Sequence, residues 1–211
     1  MGTVVAFVSQ KGGVGKSTLA RAMAREAAAG GLSVKLADLD TQQGTSLDWQ
    51  RARLSAGIEP MVSVEPFGNA AQAIKAAAAY DLLIIDGPAR TSAGTLEIAK
   101  TAGLVVQPSG PSLDDLRPAV REFHALVKAG IPAERLAFAL NHIGTDAEEA
   151  DARTFLEEAG YFVLSGYLPE RPAYRRAQNG GHAVTETKFA ALNARADALM
   201  QALVEKVNSD G

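Results

Sequence analysis

The sequence predicts an α/β fold, a single doubly wound, mostly parallel sheet with helices on both faces. Three observations carry that prediction. Short apolar runs alternate with alanine-rich helical stretches along the 211 residues. The runs are apolar throughout, as strands covered on both faces require. A glycine-rich turn separates the first run from the first helix, and open sheets of this class hold ligands at such strand ends.

In chain order, Val4–Val8, Val34–Leu39, Met61–Val64, Leu82–Ile85, Leu104–Gln107, Leu136–Leu140 and Phe162–Leu164 read as strands. Ser17–Ala29, Thr45–Leu54, Asn69–Ala79, Leu113–Ala129, Ala147–Ala159 and Lys188–Val207 read as helices. Gly30-Gly31 and Gly130 follow helical stretches as C-terminal stops. With 47% hydrophobic and 21% charged residues, the length suits one compact domain spanning 1–211. There is no cysteine, which removes disulfides, thiolate metal sites and thiol nucleophiles together. The expected location is cytoplasmic. The formal net charge is −3, so any contact with nucleic acid must come from a local patch. Thr3–Val8 lacks a basic flank and runs into the glycine turn, so it reads as a strand and not a leader. No apolar run reaches the ~20 residues of a membrane span.

The turn reads Gln10-Lys11-Gly12-Gly13-Val14-Gly15-Lys16-Ser17-Thr18. Its glycines let backbone N–H groups turn inward around phosphates, and the helix N-terminus adds partial positive charge. Lys16 is the candidate for the β- and γ-phosphates and Ser17 for Mg²⁺. Gly12, Gly13, Val14, Gly15 and Thr18 complete a phosphate-binding loop. The alternative is a plain glycine turn at a strand–helix joint. Beginning at residue 10, the loop leaves no room before it for a helix-turn-helix domain.

Gln10 stands where the ordinary pattern has glycine, and Lys11 is an addition. Lys-Gly-Gly-Val-Gly-Lys-Ser-Thr resembles the deviant Walker A motif of the ParA/MinD family. The resemblance implies an ATPase whose Lys11 reaches across a homodimer interface to the partner's ATP. A second ammonium there stabilises charge developing in phosphoryl transfer. Otherwise Lys11 is a solvated loop lysine. Tyr80–Pro88 resembles a Walker B strand followed by switch II, which makes Asp86 the carboxylate that holds Mg²⁺ through water. Asp38-Leu39-Asp40-Thr41-Gln42-Gln43-Gly44 resembles the family's switch I, with Asp40 positioning the attacking water near the metal. The family commonly has proline where this chain has Thr41. The competing reading of Asp40 is a cap for the following helix. Trp49 reads as a packing residue.

By the same resemblance, Asn141 and Pro169 fall where the family contacts adenine, although Asn141 reads equally as a strand-end turn residue. No guanine-specifying Asn-Lys-x-Asp motif is present, which favours ATP. Arg171–Ala177, Gly181 and Val184 resemble the short plasmid-partition ParA (ParF-like) proteins. That likeness implies ATP-dependent, non-specific binding to nucleoid DNA and hydrolysis stimulated by a ParB-like centromere-binding or adaptor protein. Arg175 and Arg176 in one helical stretch, and Lys188 and Arg195 on the last helix, are the candidate DNA contacts. Arg117, Arg121 and Lys128 are weaker candidates that fit a dimer rim as well. Each also reads as an ordinary solvated residue. The cargo is open: plasmid, chromosome, protein cluster or microcompartment.

Rival readings are a MinD-like membrane-cycling ATPase, a metabolic ligase of the same fold and an adaptor that binds ATP without hydrolysing it. The last helix has an apolar face of Ala196, Leu199, Met200, Leu203, Val204 and Val207 but few basic residues, which suits core packing better than a membrane surface. No membrane partner is expected. The histidines His124, His142 and His182 are given no chemistry.

Overall fold

A computed structural model describes residues 2–41, 44–88 and 92–209. Gln42 and Gln43 of the switch I-like segment, and the terminal Asp210 and Gly211, lie outside the described residues. The strands are β1 Thr3–Phe7, β2 Val34–Asp38, β3 Ser63–Pro66, β4 Leu82–Asp86, β5 Leu104–Ser109, β6 Leu136–Ile143 and β7 Phe162–Pro169. The helices are α1 Lys16–Ala29, α2 Thr45–Ser55, α3 Ala70–Ala76, α4 Ser92–Thr101, α5 Leu113–Lys128, α6 Asp146–Glu158, α7 Pro172–Asn179 and α8 Ala190–Ser209.

The seven strands form one sheet in the order β3-β2-β4-β1-β5-β6-β7, and every pairing is parallel. Alternate residues of each strand point to opposite faces, so a continuous apolar run feeds two cores at once. Val5, Phe7, Leu36 and Ile84 join α1, α2, α7 and α8 on one face. Val4, Ala6, Val8 and Ile85 join α3 to α6 on the other. β1 sits between β4 and β5, where the winding changes direction, and its C-terminal end opens a crevice for a ligand.

The expected strands are all present, with shifted ends. β7 runs on to Pro169 because a register irregularity against β6 and Gly166 at φ 80° let it bend and continue. Helix α4 was not expected. Gly94 and two threonines weaken its intrinsic propensity, and burial of Ile98 and Ala99 holds it in place. Helix α8 begins at Ala190, two residues after the expected start. The Asn193 side chain bonds the Thr187 backbone N–H at 2.8 Å and the Thr187 carbonyl at 3.0 Å, which fixes that segment as a turn. Val204, expected on the apolar face, is 43% exposed, whereas Ala196, Leu199, Met200 and Leu203 are buried in the core. Among the described residues no helix is long and apolar enough to cross a membrane.

Candidate functional site

The glycine loop leaves β1 and turns into α1 through two left-handed positions, Gly13 at φ 79° and Gly15 at φ 110°. Gly15 has a second constraint. A Cβ there would lie 2.0 Å from the Asn141 Nδ2 atom and would displace the side chain that braces the loop. The loop and the start of α1 line a cavity of ≈ 280 Å³ with Gly12, Gly13, Gly15, Lys16, Ser17, Thr18, Arg21, Asp40 and Thr45. Lys16 is buried; desolvation pulls its pKa below the ordinary lysine value, against the opposing pull of Asp86, Asp40 and Glu122. A desolvated ammonium facing carboxylates in a polar cavity is suited to take a polyanion.

Asp86 ends β4 and is 1% exposed. Burial pushes its carboxyl up to about 6, with Ser17, Ser46 and Arg21 opposing and Asp38 adding to the rise. Its Oδ2 accepts the Ser46 hydroxyl at 2.8 Å, while Oδ1 is buried without a hydrogen-bond partner. The Ser17 hydroxyl sits beside Thr45, at 3.3 Å. A hard cation held by Ser17, phosphate oxygens and waters oriented by Asp86 fits this donor set, and an orphaned carboxylate oxygen is what a metal-bound water would satisfy. Among the described residues no cluster of His, Asp and Glu forms an all-protein metal cage.

The two aspartates after β2 divide their roles. Asp38 is fully buried and receives the Asp40 backbone N–H at 3.0 Å and the Ser46 N–H at 3.1 Å. Burial raises its pKa, and the backbone donors resist the rise. Asp38, and not Asp40, therefore supplies the cap-like carboxylate for α2, whose N-cap position Gly44 has no side chain to do so. Asp40 lines the cavity, two residues from that anchor. Arg21, unassigned by sequence reasoning, joins the same group. It is buried one helical turn from Ser17, and its Nε donates to the Ser46 hydroxyl at 3.2 Å. The i, i+4 spacing on α1 was the available signal.

Lys11 does not line the cavity formed by its own loop. Its exposed ammonium pairs with Asp115 near the start of α5. Seven residues on, Glu122 is buried and accepts the Gln10 backbone N–H at 3.1 Å and the Gln107 side chain at 2.8 Å. Two carboxylates of α5 thus hold the loop entrance, at the residue where glycine is replaced by Gln10. Nothing local in the sequence marks Glu122, because both of its partners are distant in the chain.

The candidate base contacts separate. Asn141 is buried, and its Nδ2 donates to the Val14 carbonyl at 2.8 Å, so it braces the loop from beneath. Pro169 lines another cavity of ≈ 370 Å³ with Ile143, Gly144, Thr145, Asp146, Tyr167, Arg171, Leu192 and Arg195. Of the four candidate DNA contacts, Arg175 and Arg176 are exposed on α7, and Arg175 pairs with Glu170. Lys188 is exposed in the turn before α8 and does not share a helix face with Arg195, contrary to expectation. Arg195 donates to the Tyr167 hydroxyl at 2.6 Å and lies 5.1 Å from the ring centre. Trp49 packs as expected, its Nε1 donating to the His182 carbonyl at 3.0 Å.

Residues 5–184 match the family model described as the CobQ/CobB/MinD/ParA nucleotide binding domain. The chain is 26% identical over 209 residues to the maintenance of carboxysome distribution protein A of Gloeobacter kilaueensis, covering 98% of this chain and 94% of that protein. Its fold superposes on the septum site-determining protein MinD of Pyrococcus horikoshii complexed with Mg-ADP, at TM-score 0.76 and 18% identity, covering 100% of this chain and 99% of that one. A putative plasmid partition protein from Borrelia burgdorferi bound to AMPPNP is similar at TM-score 0.72 and 15% identity, over 98% and 100% of the two chains.

Proposed function

The chain belongs to the CobQ/CobB/MinD/ParA nucleotide-binding family, and from that premise we propose that it is a Mg²⁺-dependent ATPase that sandwiches ATP between two copies of itself and carries cargo over DNA. The observation that carries this reading is the placement of Lys11. Its ammonium stands outside the cavity that its own loop lines, exposed on the same edge of the sheet. A lysine in that place serves a nucleotide held by a second chain better than its own.

Within each copy the loop N–H groups and Lys16 hold the triphosphate, and Thr18 and the N-terminus of α1 support it. Ser17 would hold Mg²⁺ directly and Asp86 through water, and the ion would supply positive charge to offset that of the transferred group. Asp40, whose backbone N–H bonds the Asp38 carboxylate, would orient the attacking water. The partner's copy of Lys11 then meets the charge that develops as the γ-phosphate departs. Basal turnover is slow on this reading, because an adaptor completes the arrangement.

Arg175 and Arg176 give α7 a basic surface on an acidic molecule, and dimerisation doubles it. That supports phosphate contacts without base reading. The likeness to short ParA proteins supports DNA segregation with a ParB-like partner. A second reading, positioning of a protein body or microcompartment, is supported by the relative named for carboxysome distribution. Both share the same ATP and DNA cycle. The test is binding to unrelated duplex DNA with ATP and Mg²⁺, with ADP, and without nucleotide. Wild type is expected to bind only with ATP, more weakly as salt rises, and Lys11→Ala not at all. Binding that ignores nucleotide, or that requires lipid vesicles instead, would overturn the reading.

A further inference from the structure

His142 is the one residue other than glycine with a left-handed backbone among the described residues, at φ 58°. It is the last residue but one of β6, beside Asn141, and its ring spans two elements. Nε2 lies 3.1 Å from the Gly13 carbonyl, and Nδ1 meets the Glu170 carboxylate. Both partners are acceptors. The ring therefore bridges the loop and the end of β7 through both of its nitrogens. Glu170 is ionised in this setting, its pKa held below the ordinary carboxylate range by the bond to His142 and by Arg175. A strained backbone at a ligand site, supported on two sides, is the pattern of a residue kept for its function.

The consequence for the loop follows from peptide geometry. A trans peptide points its C=O and the next N–H in opposite directions. Asn141 pins the Val14 carbonyl away from the cavity, which turns the Gly15 N–H toward it. His142 bonds the Gly13 carbonyl one residue earlier, at 3.1 Å. Adjacent residues of β6 thereby hold adjacent peptides of the loop. We propose that His142 is a positioning residue of the phosphate loop, holding the Gly13 peptide with one ring nitrogen while Glu170 anchors the other. The proposal rests on the nucleotide-binding reading of the loop. It also ties the loop to α7, because Glu170 holds Arg175 as well as His142.

The test is calorimetric titration with Mg-ADP of wild type, His142→Gly and His142→Arg, with thermal melting of each. Glycine tolerates the left-handed backbone, so this variant is expected to melt no lower than wild type, yet to bind roughly tenfold more weakly for one lost hydrogen bond to the loop. Arginine has donors enough to span both acceptors and is expected to restore most of that loss. If the glycine variant binds like wild type, or if arginine restores nothing, the proposal is overturned while nucleotide binding stands. A wild-type protein that binds no nucleotide would overturn both.

Discussion

Asp86 occupies its place at a cost that the nucleotide-free chain bears. Its carboxyl ordinarily titrates at 3.8 and is pushed up to about 6 in the fold, with burial the largest cause. The folded state therefore binds this proton more tightly than the unfolded state. The carboxylate lowers stability progressively as the pH rises from about 4 to about 6, and the full loss persists above that. Asp86→Asn keeps an acceptor for Ser46 and removes the buried charge. It is expected to raise the stability of the nucleotide-free protein at pH 7 by about 1–2 kcal/mol in urea denaturation, while abolishing Mg²⁺-dependent hydrolysis. A variant that is less stable at pH 7 would show that the carboxylate is well solvated after all. Lys16, desolvated in the same cavity, has the complementary need, which an occupying polyanion meets.

At the scale of elements, the site hangs on helices that long-range ion pairs fix in place. Arg53 of α2 is 1% exposed on its side chain and pairs with Glu186 at 2.7 Å, and Arg25 of α1 reaches the same carboxylate at 2.9 Å. Burial alone would raise the Glu186 pKa, but the Arg53 bond, the Ala183 N–H and the charge of Arg25 outweigh it and hold the pKa below the ordinary 4.5. That depressed value places the stabilisation above pH 4.5 and removes it as the pH falls through the folded value. Glu186→Gln is expected to lose about 1–3 kcal/mol at pH 7 and progressively less as the pH is lowered below 4.5, measured by urea denaturation at pH 7 and at lower pH. An equal loss at both pH values would show that shape, not charge, carries the contact. These pairs also mark the limit of sequence reading. The apolar runs gave every strand, because burial on both faces leaves a local signature. The glycine loop, Asp40 and Asp86 were legible because each sits at a strand end beside a recognisable pattern. Arg21, Asp38, Glu122 and His142 were not, because their roles depend on partners from other elements. Helix α4 and the start of α8 were missed where tertiary packing and a side-chain bond overrode local propensity.

The whole molecule is an all-parallel sheet whose C-terminal edge carries the phosphate cavity, the loop entrance and the approach to α7. Its net charge of −3 opposes DNA in bulk, so binding on this account depends on local arginines and on doubling by dimerisation. On the proposed reading, the Lys11–Asp115 pair is the starting state, and a second nucleotide-loaded chain would compete for the ammonium now held by its own α5. Sedimentation with Mg²⁺ and a non-hydrolysable ATP analogue tests this most directly. The account predicts a wild-type particle of twice the 22.0 kDa chain mass, a single-chain particle with ADP, and a single-chain particle for Lys11→Ala even when nucleotide saturates it. A wild-type chain that stays single at saturating analogue, or a Lys11→Ala variant that doubles like wild type, would contradict it.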